Sequence, residues 1–338
     1  MTETSTKYDS VQALRAIAAL MVLLFHSKLV FGDRETRESL VRIPGFTDFG
    51  DLGVNLFFVI SGFIIATIVS RPEFRLREYF WRRILRIYPL LWIVMFVGIC
   101  HYFLRNWFAW DLNEAGMKGM LLSAVAFPQA ASPFWQPGWT LEHEVLFYFI
   151  AAGVAPFFGL VGLTIFLLVL GTLGILFAFG WDYHITSNAQ IYFAGGVIAY
   201  LSRNAPLRWS VPVFVIFLGV YYLGLYGVIA INNATFGHYI FSVGTAALIV
   251  AVLSLERRGM PPPKAVVGLG DASYSLYLWH WMLIPIVGVF RDNFGGGAEV
   301  WRWIFVVTAI AVALLSYQII EKPIIAFSHR YRQSRCTQ

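Results

Sequence analysis

The sequence predicts an all-α fold: a polytopic integral membrane protein of about ten transmembrane helices with both termini in the cytoplasm. Three observations lead there. Of 338 residues, 58% are hydrophobic and 13% charged, about half the roughly 25% charged share of a soluble domain. Apolar runs near 20 residues recur from Val11 to Phe327, each long enough to cross a ~30 Å hydrocarbon core. Lys and Arg are also divided unevenly between alternate connecting segments, as the positive-inside rule requires. The charge deficit runs along the whole chain, which excludes a soluble body with one anchor.

The spans fall near 11–30, 52–70, 84–104, 139–158, 161–179, 189–202, 211–231, 236–254, 272–290 and 301–325. The first contains Arg15 and lacks a small-residue cleavage site, so it reads as a retained helix, not a signal peptide. The stretch 117–127 (MKGMLLSAVAF) is apolar but short, a re-entrant or interfacial piece. With the N-terminus inside, the inward segments hold sixteen Lys and Arg and the outward ones eight. An extra span at 117–127 would invert everything downstream and put the basic tail outside. The segment 256–264 (ERRGMPPPK) is the clearest linker, a triple proline flanked by charge. The chain reads as one transmembrane domain, 1–338, with an eight-helix body (8–255), that linker and a final helix pair (265–330). No repeat and no fused soluble domain is evident. Cys100 and Cys336 form neither a disulfide framework nor a zinc spacing. The net charge of +6 reads as basic cytoplasmic loops in a protein bordered by membrane lipid, and no nucleic-acid partner is expected.

Ionisable residues inside spans are costly and mark function. Here they are Arg15, His26, Glu142, His143, Glu144 and His280, with His101 near a helix end. At ~1.5 Å per residue, His26 stands roughly 22 Å above an inner entry at Val11, and Glu144 roughly 8 Å below an outer entry at Trp139. In a ~30 Å core those depths coincide. A base and a carboxylate at one depth suit general-base catalysis, the carboxylate orienting and stabilising the imidazole. Arg15 and His26 lie eleven residues apart, on one helix face. Arg15 either meets a negatively charged donor from the cytoplasm or snorkels to the inner surface. Glu142 and Glu144 point ~200° apart, so only one can face His26, and periodicity does not choose. Three consecutive helical residues diverge, so no metal site is expected at 142–144.

The stretch 71–89 (RPEFRLREYFWRRILRIYP) holds six arginines. It reads both as positive-inside charge and as a phosphate clamp, since guanidinium grips phosphate in bidentate fashion. Ser61–Gly62, mid-span, permit close helix approach. No elbow or base adjoins Ser61, which reads as packing or polar lining. Tyr277, His280 and Trp281 recur at helical spacing, either as core or against a cavity.

These segments together resemble the membrane-bound acyltransferase type 3 family, which O-acetylates cell-surface and exported polysaccharides and related glycans. The resemblance rests on 13–26 (ALRAIAALMVLLFH), 53–63 (GVNLFFVISGF), 82–89 (RRILRIYP), 139–148 (WTLEHEVLFY), 273–280 (SYSLYLWH) and 321–323 (EKP), in family order. It implies a ten-helix fold in the inner (plasma) membrane and an acyl-CoA donor, acetyl-CoA, on the cytoplasmic side. It implies that His26 is the essential catalytic histidine and that Glu144, not Glu142, is the acidic residue. Arg15, Arg82, Arg83 and Arg86 match arginine positions suited to the donor's phosphates, and Ser61, Trp139, Tyr148 and His280 are candidate cavity-lining residues. The chain departs from the family where Val145 follows Glu144, where Asn55 replaces an Asp, and where Trp281–Met282 replace a proline region. Many members carry an added periplasmic hydrolase-like domain. Without one, the chain acts alone, hands off to a separate periplasmic or biosynthetic partner, or works on a lipid-linked or small acceptor. The rival class is a proton-coupled transporter using intramembrane His and Glu, which the lack of repeated halves disfavours.

Overall fold

A computed structural model of the chain describes residues 8–105, 114–129, 132–177, 179, 184–230 and 233–327. Lys7, Cys336 and the tail arginines used in the orientation argument lie outside them. The described residues form helices and connections with no strand: α1 (Asp9–His26), a 3₁₀ turn (Ser27–Val30), α2 (Arg34–Ser39), α3 (Leu52–Val69), α4 (Leu76–Arg105), α5 (Glu114–Ala124) and α6 (Gly138–Leu176). They continue with α7 (Ala189–Leu201), α8 (Leu207–Leu225), α9 (His238–Arg257), α10 (Lys264–Asp271), α11 (Ser273–Phe294) and α12 (Ala298–Ser316), which runs into a π-helical turn, Tyr317–Glu321. Eight of these helices are long and apolar enough to cross a membrane. Their outward faces carry large apolar side chains, such as Phe157, Phe158 and Val161 on α6. Water would not tolerate so continuous an apolar exterior, so the chain is a multi-pass membrane protein.

Three elements differ from the expected spans. Helix α6 is 39 residues long, roughly 58 Å at 1.5 Å per residue, twice a hydrocarbon core. It breaks at Gly159, whose φ of 67° and ψ of −175° are non-helical and open only to glycine without strain. The expected spans 139–158 and 161–179 are its two arms. Helix α7 has 13 residues, about 20 Å, less than a full core. Helix α4 begins at Leu76 rather than near 84. Its first turns take in Arg77, Arg82 and Arg83, because Leu and Arg favour helix. Helix α5, with 11 residues, is too short to span. Its end is held by α4, where Trp92 Nε1 donates to Ala124 O (2.7 Å) and Tyr88 OH to Val125 O (2.9 Å).

The chain divides into two compact units, residues 1–18, 54–74 and 143–270, and residues 19–53, 75–142 and 271–338. In the first unit α3 and α7 meet backbone to backbone. A Cβ on Gly196 would stand 2.0 Å from Val59 O and 2.7 Å from Gly62 Cα. Phe147 and Phe193 stack beside this crossing at 4.0 Å. The linker after α9 turns at Gly259 (φ 80°), with Met260 N–H donating to Leu255 O (3.1 Å), a glycine-ended helix stop. In the same unit Glu256 caps the start of α1, accepting the N–H groups of Asp9 (3.1 Å) and Ser10 (3.0 Å) and the Ser10 hydroxyl. A carboxylate is favourable at that end of the helix dipole. In the second unit α11 packs on α4 and α12, and Arg302, 1% exposed, donates from Nη1 to Val41 O (2.8 Å) and Glu299 Oε1 (3.2 Å).

The α3–α7 crossing allows no side chain. Gly196→Val is expected to destabilise the protein by about 1–3 kcal/mol or more through overpacking. Thermal melting in detergent checks this, with Gly219→Val, at a position with nothing within 4 Å of an added Cβ, as the silent control.

Candidate active site

His26 is the last residue of α1, where the helix tightens into the 3₁₀ turn. Its ring lies in the second unit against His280, 2% exposed on α11. Nδ1 of His26 stands 3.2 Å from Nε2 of His280, and the rings stack at 5.2 Å with 20° between planes. Trp281 presents its edge to His26 at 5.5 Å. Nδ1 of His280 reaches Leu276 O, one turn back, at 3.2 Å. Tyr277 lies 5.8 Å from His280. Its hydroxyl donates to Pro137 O (3.2 Å) and accepts from Thr140 Oγ1 (2.9 Å). Beyond the span, burial raises the Asp51 carboxyl above its usual range, against the opposing pull of backbone N–H groups and Lys28. Arg15, further back on α1, donates from Nη1 to Gln12 Oε1 (3.2 Å).

Glu144 lies in the first unit. Its Oε1 accepts Ser61 Oγ–H (3.0 Å) from α3 and the hydroxyl of Tyr148, one turn on. Tyr148 is 3% exposed, so the carboxylate is held from both sides. Glu142 faces the other way, in the second unit. It is 1% exposed and accepts Gln129 Nε2–H (3.0 Å) and Gln129 N–H (3.3 Å), pinning the segment after α5. His143 is buried, stacks on His184 at 4.1 Å and has Nε2 3.0 Å from Ser187 Oγ. Trp139, at the head of α6, is 38% exposed. Among the described residues no cluster of metal-ligating side chains occurs.

The arginines of α4 divide. Arg82 pairs with Glu78 one turn back at 2.5 Å, both partly exposed. Arg86 Nη1 pairs with Glu321 Oε2 at 2.6 Å. Glu321, 4% exposed, also accepts Ser275 N–H (3.1 Å) and Ser275 Oγ–H (2.5 Å) through Oε1. The guanidinium of Arg86 lies over Tyr274 at 5.4 Å, and Tyr274 OH donates to Ile87 O (2.8 Å). One buried carboxylate therefore ties α4, α11 and the π turn together.

Residues 8–321 match the type 3 acyltransferase domain family. The chain belongs to this family. Among similar curated proteins, the "Exopolysaccharide production protein ExoZ" of Rhizobium meliloti (strain 1021) is 30% identical over 82% of this chain and 90% of its own length. The "O-acetyltransferase OatA" of Staphylococcus aureus (strain NCTC 8325 / PS 47) is 22% identical over 93% of this chain and 56% of its own length. No solved structure matches.

An acyltransferase needs a base or nucleophile, a way to handle a proton, and a grip on the donor. His26 is an imidazole of the kind that can act so, with one ring nitrogen engaged by His280. Glu144, Ser61 and Tyr148 form a second, hydroxyl-lined carboxylate. Sequence reasoning missed the buried tie made by Glu321, although it opens the Glu-Lys-Pro segment. A carboxylate at the end of the last span reads as solvated, and only its partners on two other helices reveal its burial. The division of labour between Glu142 and Glu144 was equally closed to periodicity, since it depends on Gln129 and Ser61.

Proposed function

We propose that this acyltransferase is an inner-membrane O-acyltransferase that moves an acetyl group from acetyl-CoA, bound on the cytoplasmic side, to a hydroxyl of a saccharide. The acceptor is an exported polysaccharide or its lipid-linked precursor, with a separate partner completing delivery where export demands one. The similarity to a protein named for exopolysaccharide production supports the acceptor class, and the name O-acetyltransferase supports the group moved. The observation that carries the reading is the intramembrane imidazole of His26, bonded through Nδ1 to His280. His26 takes the proton of the acceptor hydroxyl while its oxygen attacks the thioester carbon, or carries the acyl group itself in passing. In either route the carbon–sulfur bond breaks and the proton ends on the departing thiol. Glu144 serves as the acidic residue of the reaction.

The donor's phosphates fit the arginines unequally. The Arg82–Glu78 pair is a partly exposed pair one helical turn apart, which a phosphate displaces at small cost. Arg86 is committed to a buried carboxylate and supports the grip from behind. Arg82, Arg83 and Arg15 are the proposed phosphate contacts. Ser61 and Tyr148 line the carboxylate, and Trp139 guards the outer end of α6.

The test is transfer itself. Purified protein in liposomes receives isotope-labelled acetyl-CoA and a mixed glycan extract. Label is expected in glycan, and the labelled product names the acceptor. Solute uptake driven by a pH gradient, with no label moved, would replace this reading with a transporter.

A further inference from the structure

The structure assigns to His280 a role in the reaction: it is a positioning residue that fixes the tautomer of His26, leaving the Nε2 of His26 as the reacting nitrogen. The inference rests on the proposed part of His26 in acyl transfer, and it follows from which atoms can donate.

A neutral imidazole has one N–H and one lone pair. A backbone carbonyl only accepts. Nδ1 of His280 lies 3.2 Å from Leu276 O, so Nδ1 carries the ring's proton and Nε2 its lone pair. That Nε2 lies 3.2 Å from Nδ1 of His26. Two lone pairs do not bond, so His26 donates from Nδ1 toward His280, with the Val22 carbonyl one turn back on α1 as a second acceptor at the ring. Neither ring forms an ion pair within its unit among the described residues, so neither is held in the doubly protonated form. The proton of His26 is thus fixed on Nδ1, and the lone pair on Nε2 is directed away from His280. His26 and His280 lie 254 positions apart in sequence.

The arrangement replaces the carboxylate that usually orients a catalytic histidine. A neutral acceptor fixes direction without adding charge beside the ring. The 20° stack and the edge of Trp281 limit the ring's rotation about its own axis.

The discriminating variants are His280→Phe, which keeps the ring stack and removes the acceptor, and His280→Gln, whose side-chain oxygen reaches the place of Nε2. His280→Phe is expected to lower kcat by about 10²–10⁴-fold, the scale on which a lost base orientation acts, with KM for acetyl-CoA and glycan changed by less than about threefold. His280→Gln is expected to recover kcat to within about tenfold of wild type. In nitrogen NMR of histidine-labelled wild-type protein in nanodiscs, the His26 proton is expected on Nδ1, moving to Nε2 in His280→Phe. A wild-type spectrum with the proton on Nε2 of His26 overturns the inference even where a variant fails to fold. So does a folded His280→Phe enzyme with unchanged kcat. His26→Ala in the same assay separates the two readings. If it transfers as well as wild type, the role of His26 falls; if it is inactive while His280→Phe is not, only the role of His280 falls.

Discussion

Purified His26→Ala protein is expected to transfer acetyl groups at least about 10²–10⁴-fold more slowly than wild type, the usual contribution of a positioned general base, and to keep its fold. The fold should survive because alanine is the best helix former and His26 is the last residue of α1. The hydrogen bond lost with the ring, at 3.2 Å to His280, is worth about 0.5–1.5 kcal/mol net. A large fall in rate with a small fall in stability is the signature of a residue kept for chemistry. The measurement is single-turnover transfer of labelled acetyl from acetyl-CoA, alongside thermal melting in the same detergent. KM for acetyl-CoA should move little, because donor binding is assigned to the arginines. A fall in rate matched by a collapse of the melting transition would make His26 structural. Full activity would remove it from the site.

The all-α membrane character was legible because it rests on composition and run length, which tertiary contacts do not change. The family was legible because six short segments keep their order, and the match over residues 8–321 agrees with them. Details of elements were less so. The arginines from Arg75 to Arg86 look like a loop by charge, yet Leu76, Arg77 and Glu78 already sit in α4. The break of α6 lies at one glycine in an unbroken apolar run. Side-chain partners were least legible. Depth along a helix is one coordinate, and it placed His26 and Glu144 at similar heights without naming neighbours. That His26 bonds to His280, that Ser61 and Tyr148 hold Glu144, and that Gln129 holds Glu142 depend on how helices rotate and cross. One sequence does not contain those angles in readable form.

The second large effect concerns Glu321, where stability and not chemistry is at stake. Glu321→Ala is expected to destabilise the protein by about 3–5 kcal/mol, the cost of removing one partner of a buried ion pair. The lower end applies, because the Arg86 side chain keeps 22% exposure while Glu321 has 3%. The loss has two main parts: the charge of Arg86 is left without its anion and the Ser275 N–H loses its acceptor, while the Ser275 hydroxyl, which also bonds to Glu321, keeps Ser316 Oγ at 3.0 Å. Glu321→Gln does not repair this, since an amide that accepts from Ser275 turns its own donors toward the guanidinium. Arg86→Met combined with Glu321→Met should instead be more stable than Glu321→Met alone, because apolar replacement of both partners removes the stranded charge. Thermal melting of wild type, Arg86→Met, Glu321→Met and the double variant in one detergent gives the coupling energy. A coupling near zero would mean that Arg86 is free to serve the donor's phosphates after all. A large one would place Arg86 among the supports of the site, with phosphate recognition resting on Arg82 and Arg83 ahead of it on α4.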